Sequence, residues 1–128
     1  MIPRYNVLIE HRHADLSQPA NAVADILDED RKVDILVNNA GIQRVNTIND
    51  FLDDDWNAIV AVNLTAPFML TRAVLPGMTK RKWGRIINVA SVHGLVASAQ
   101  GPAYVACVNS RAALSVSNIT TGREHTYT

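Results

Sequence analysis

A second cysteine, an excess of charge, a glycine-rich fingerprint and a membrane-length apolar run are all missing from this 128-residue chain. Each absence narrows the reading. With Cys107 alone there can be no internal disulfide framework, which fits a reducing compartment and treats the thiol as a small buried apolar group. Twelve basic residues balance twelve acidic ones, so the formal charge is zero and neither nucleic acid nor an anionic membrane is an expected partner. The six glycines, at positions 41, 77, 84, 94, 101 and 122, form no phosphate-cradling turn. The N-terminus, Met1-Ile-Pro-Arg-Tyr-Asn6, lacks a basic region followed by an apolar core, and no stretch is expected to span a bilayer. These features predict one small, soluble, cytoplasmic domain.

What is present alternates between strand-like and helix-like periods, the pattern of an α/β fold. Tyr5 to His11 alternates apolar and polar residues and reads as a strand running into the loop at Asp15-Leu16. Ser17 is the expected N-cap of a helix that tolerates Pro19 in its first turn, groups Val23, Ile26 and Leu27 on one face and ends near Arg31. Val33 to Val37 is a continuous apolar run, as expected of a parallel strand covered on both faces. From Asp53 a helical period carries Trp56, Ile59, Val60, Leu64, Phe68 and Leu75. Pro67 and Pro76 each remove a backbone donor, so two helical pieces or one kinked helix is expected. Asp53, Asp54 and Asp55 suit the positive end of the helix dipole better than a metal ion, and Lys80, Arg81 and Lys82 suit its negative end. Arg85 to Ser91 reads as a second buried strand. In open parallel sheets ligands bind beyond the carboxyl ends of the strands, which places Gly41 and Ser91 on one edge.

The chemistry-bearing residues fall on that edge. Ser91 sits in Ala90-Ser91-Val92, without the glycine-flanked elbow of a hydrolase nucleophile. His11, His13 and His93 have no further ligands grouped with them, so no metal site is expected. Asn63, Ser91 and Tyr104 make better sense as a proton-handling group. A carbonyl reduced by hydride needs a proton on its oxygen; a tyrosine can supply it, a serine can hold the oxygen, and an asparagine can order a water behind them.

Asn38-Asn39-Ala40-Gly41, then Asn63-Leu64, then Ser91 with Tyr104 thirteen residues on, resembles the short-chain dehydrogenase/reductase family from about Val7 to Cys107. Within it, Ala40-Gly41-Ile42-Gln43 and Ser91-Val-His-Gly-Leu-Val-Ala-Ser98 look most like D-3-hydroxybutyrate dehydrogenases. The resemblance implies a partial Rossmann-like, doubly wound parallel sheet with helices on both faces, lacking the family's first strands and its C-terminal part. It implies NAD, with NADP not excluded, and a small hydroxyacid or ketoacid substrate. Asp15 and Leu16 would border the adenine, and Asn39, Ala40 and Gly41 the nicotinamide ribose. Asn63, Ser91 and Tyr104 would be catalytic, Tyr104 also touching the cofactor, while Gln43 and His93 would hold the substrate carboxylate. Intact relatives are expected to be homo-oligomers.

Three departures accompany the resemblance. The glycine-rich opening turn is absent, Val108 stands where the family has a lysine four residues after the tyrosine, and Gly101 replaces a further substrate lysine. Without that lysine a phenol of pKa ~10 is ionised to only about one part in a thousand at pH 7. Since acid/base catalysis contributes roughly 10²–10⁴-fold, impaired activity is expected. The chain therefore divides into a family-like region, 1–107, and a divergent tail, 108–128, in which Ala112 to Val116 could complete a helical turn or two; a shifted reading frame entering near Val108 would produce such a border. Two functions remain open: an NAD-dependent hydroxyacid oxidoreductase, or a non-catalytic remnant that associates with intact relatives.

Overall fold

The computed structural model describes residues 8–27 and 32–91, together with the backbone of two short strands in the tail. In chain order the elements are α1 (Pro19–Ile26), β1 (Ile35–Asn38), a 3-10 turn (Ile48–Asp50), α2 (Asp53–Val60), a π-helical turn (Ala61–Thr65), α3 (Ala66–Arg81), β2 (Arg85–Asn88), β3 (Val116–Asn118) and β4 (Arg123–His125). β1 and β2 pair in parallel with Ile35 opposite Arg85 and Asn38 opposite Asn88. A parallel pair needs a crossover, and the long helix that begins at Asp53 supplies it.

The N-cap of α1 is Gln18 rather than Ser17, whose hydroxyl is engaged with the Asp15 carboxylate, as is its N–H, which donates to Asp15 Oδ1 at 2.9 Å. Pro19 occupies the first turn as expected. The helix stops at Ile26, short of Arg31, and Leu27 is already extended. Asp25 is a carboxylate at the negative end of the dipole, with no basic residue in the last turn to offset it.

The helical stretch from Asp53 to Arg81 is continuous through 29 residues, but its hydrogen-bond register changes midway. Pro67 cannot donate to the carbonyl of Asn63, four residues back, and just before it Ala66 donates to Ala61, five back, which is the π spacing. The expected interruption at Pro67 is thus realised as a π turn. Pro76 is accommodated inside α3. By length and composition this helix could cross a membrane, contrary to the expectation from sequence. Its buried residues, however, include Val74 and Met78, which cluster with Ile86 on β2 against Leu27, Val33 and Leu36. That is the packing of a core helix. A second cluster forms where Ile59 meets Ile42, Phe51, Val60 and Leu64.

α3 leaves through a Schellman turn. Lys82 N–H bonds Thr79 O at 3.0 Å, Trp83 N–H bonds Met78 O at 3.1 Å, and Lys82 is left-handed with φ 56. Arg81 folds back to donate to Val33 O at 2.6 Å, tying the end of the helix to the approach to β1. Gly84 then allows close contact with Met78, since a Cβ there would lie 2.5 Å from Met78 Cγ.

Three expectations about strands are corrected. Leu8 to His11 form no strand and pair with neither β1 nor β2, and Leu8 and Ile9 are exposed; Tyr5 to Val7 lie outside the described residues. β1 is covered on one face only: Ile35 and Val37 remain 54% and 53% exposed, because the described helices that pack on the sheet do so from the side of Leu36 and Ile86. In the tail, Val116 belongs to a strand rather than a helix, pairing antiparallel with His125 across a four-residue connection, 119–122. The β-branched Val116, Ile119, Thr120 and Thr121, followed by Gly122, favour a hairpin over a helix.

Candidate active site

Both strands end in asparagine, and the two side chains meet. Asn38, only 4% exposed, donates from Nδ2 to Asn88 Oδ1 at 2.8 Å and to Thr71 Oγ1 on α3 at 3.4 Å. The ladder continues one step further, with Val89 N–H bonding Asn38 O at 3.0 Å. Beyond this point the chains diverge into Asn39-Ala40-Gly41 and toward Ser91. Gly41 and Ser91 each stand three residues past the last paired residues of the parallel register, so the two segments share one edge of the sheet.

The far end of the Asn39–Gly41 segment is held by Asn63. That side chain is 1% exposed, and its amide is matched to the backbone of Ile42: Ile42 N–H donates to Oδ1 and Nδ2 donates to Ile42 O, both at 2.8 Å. Asn63 lies in the π turn, so the register shift sets the residue that grips the loop. The sequence suggests that Asn63 orders a water; in the structure its amide bonds the backbone of Ile42 at both ends.

A cavity of about 250 Å³ opens beside this loop. Leu16, Leu36, Val62 and Leu70 supply apolar wall, while Asn39 and Ala40 contribute to its rim at the end of β1. An apolar slot with a few polar groups at one end suits a flat heterocycle. Among the described residues, a Cβ at Gly41 would meet only Asn63 Oδ1, at the ordinary distance of 3.5 Å.

The remaining predicted residues are dispersed. Asp15 is fully exposed, and its carboxyl is held below the usual range by hydrogen bonds from the Ser17 hydroxyl and N–H, with a smaller contribution from the charge of His13. Gln43 is exposed, and its carbonyl accepts a hydrogen bond from Arg44. Ser91 is half-buried. His93, Tyr104 and Val108 lie outside the described residues, as does the junction at Cys107. Leu16, Asn39 and Ala40 are brought together on one cavity, and Asn63 is brought to the loop they border. No group of three or more potential metal ligands occurs among the described residues.

Asn38, Thr71 and Asn88 were not picked out by sequence reasoning as site residues. A signal for two of them was present, since each apolar run ends on an asparagine where a solvated loop begins. Their alignment depends on register, which the sequence does not display.

The short chain dehydrogenase family pattern matches residues 6–120. The chain belongs to the short-chain dehydrogenase family. Among relatives, D-beta-hydroxybutyrate dehydrogenase of Cupriavidus necator is 67% identical over 73 residues, covering 57% of this chain and 28% of that enzyme. A gluconate 5-dehydrogenase from Burkholderia cenocepacia, solved in complex with NADP and tartrate, superimposes with a TM-score of 0.70 at 36% identity, over 79% of this chain and 41% of that one. A 4-hydroxyisoleucine dehydrogenase complexed with NADH gives 0.62 at 39% identity, over 65% and 37%. The short-chain dehydrogenase likeness reaches residue 120, past Cys107, where it is expected to fade. The fold is Rossmann-like, and the chain spans well under half the length of these relatives.

Proposed function

We propose that this chain carries the nicotinamide-facing part of an oxidoreductase acting on a small hydroxyacid such as 3-hydroxybutyrate. The observation that carries the reading is the clamped Asn39–Gly41 loop, set beside an apolar cavity and on the same sheet edge as Ser91. The 67% identity to a D-beta-hydroxybutyrate dehydrogenase supports the substrate class. Structural relatives hold NADP or NADH, which supports a nicotinamide cofactor of either kind.

When bound, the cofactor accepts or returns a hydride at the substrate carbon. Everything else falls to the chain. Leu16 and the slot behind it receive the adenine, with Asp15 at its exposed margin, and the backbone of Asn39, Ala40 and Gly41 faces the ribose. Ser91 donates a hydrogen bond to the substrate oxygen, and Tyr104 takes the hydroxyl proton in oxidation or returns it in reduction. Gln43 and His93 hold the carboxylate. Asn63 acts through position, because its amide fixes the loop rather than the substrate. With valine at 108, Tyr104 has no ammonium at that position to favour its phenolate, and turnover is expected to be slow. The active assembly is a cytoplasmic homo-oligomer, with residues 1–107 forming the enzyme-like domain and 108–128 the tail.

The open face at Ile35, Val37, Ile87 and Val89 favours a second reading, in which the chain is non-catalytic and associates with intact family members. Fluorescence titration with NADH and, separately, NADPH, followed by a turnover assay with D-3-hydroxybutyrate, separates the two. Saturable binding with measurable turnover is expected from the enzyme; absence of binding by either nucleotide sinks that reading.

A further inference from the structure

The Asn39–Gly41 segment is staked to the long helix at two points. At its start, Asn38 Nδ2 uses both of its hydrogens, one toward Asn88 Oδ1 on the neighbouring strand and one toward Thr71 Oγ1 on α3. At its end, Ile42 is bonded through both backbone groups by Asn63. Thr71 and Asn63 belong to the same continuous helical stretch, eight residues apart. Three residues of loop therefore span two anchors on one rigid body, and the first anchor also ties in β2, which leads to Ser91.

We propose that Asn88 and Thr71 are positioning residues, which act through Asn38 to hold the Asn39–Gly41 loop and Ser91 in fixed relation at the sheet edge. This rests on the function proposed above, but the geometry it predicts exists without any ligand. A ladder of backbone bonds alone does not secure the last pair of a four-residue strand, where the sheet frays into loops. A side-chain amide bonding sideways and into the helix does, and in a buried place each such bond is favoured because its loss leaves a polar group unpaired. Preorganising both segments before a ligand arrives removes the ordering cost that binding would otherwise carry.

The chemistry of the amide supplies the test. Asn88 is the acceptor toward Asn38, so Asn88→Asp keeps an acceptor oxygen at that place, whereas Asn88→Leu removes it. Thr71→Val removes one hydroxyl at nearly constant volume and carries little risk to folding. Amide hydrogen exchange of the full chain, followed by NMR, is expected to show protected side-chain NH₂ protons at Asn38. In Asn88→Leu and Thr71→Val, exchange at Val89 and Ile42, whose N–H groups bond Asn38 O and Asn63 Oδ1, should accelerate roughly three- to tenfold, the loss of one hydrogen bond, while amides around Val74 and Met78 hold their rates. Asn88→Asp should restore the slow rates. The proposal is overturned if the Asn38 NH₂ is unprotected in the unsubstituted chain, if the Leu and Val variants leave Val89 and Ile42 unchanged, or if the core amides accelerate equally and Asp does not restore them. NADH titration of the same samples reads the functional proposal separately: an unsubstituted chain that binds no nucleotide fails that reading while the exchange result stands or falls alone.

Discussion

Gly84 and Met78 show how closely one residue can be constrained by another. A Cβ at position 84 would come within 2.5 Å of Met78 Cγ and 2.7 Å of its Cβ, and the latter cannot swing aside. Gly84→Ala is therefore expected to cost about 1–3 kcal/mol by overpacking, read as a lower urea midpoint. Lys82 is the opposite case. Its left-handed backbone penalises any side chain, so Lys82→Gly should raise stability by about 1 kcal/mol in the same measurement. Asp15 gives a pH signature. Its carboxyl is held below the ordinary aspartate range by the two hydrogen bonds from Ser17, so the folded form favours the carboxylate. The stabilisation is complete above the unfolded value and is lost as the pH falls through the lowered one. The Ser17 amide resonance should accordingly titrate with a midpoint below that of an unperturbed aspartate, and a midpoint at or above the unperturbed one would falsify the hydrogen-bonded arrangement.

At the level of elements, the π turn and the asparagine it carries decide the shape of the site. Asn63→Leu leaves the N–H and carbonyl of Ile42 without their side-chain partners, at roughly 1–3 kcal/mol for each group that water does not reach. Loss of stability together with accelerated exchange at Ile42 is the expected outcome. The elements themselves were largely readable in advance. The apolar runs at Val33–Val37 and Arg85–Ser91 lie on the two paired strands, and the helical period after Asp53 is one long helix whose change of register falls just before Pro67. Boundaries were less readable where side chains compete for backbone groups: Ser17 looks like a cap, yet its N–H and hydroxyl serve Asp15. The loop residues at the site were legible because asparagine and glycine at a strand end carry their own signal. The Asn38–Asn88–Thr71 contact was not, since it depends on which residues a parallel register places side by side.

At the scale of the molecule, the described helices pack on one face of the β1–β2 sheet and leave the other half-exposed. Ile35, Val37, Ile87 and Val89 project from the uncovered side of two strands, an apolar patch of the kind that drives association. Ile87→Lys should lower self-association without weakening the cluster around Met78, which lies on the opposite face; sedimentation velocity across a concentration series checks this. An unchanged distribution of species would show that the bare face is not where copies meet.

The hydrogen bond between Asn38 and Asn88 joins residues 50 apart in the chain. Contacts of that span close a large loop, so they form after local helices have appeared and they slow folding as a class. The edge that holds Ser91 and the Asn39–Gly41 loop is thus among the last parts to come into existence. A chain caught partway already has its long helix but not yet the joined edge at the ends of β1 and β2, and its two apolar strands are unpaired during that interval.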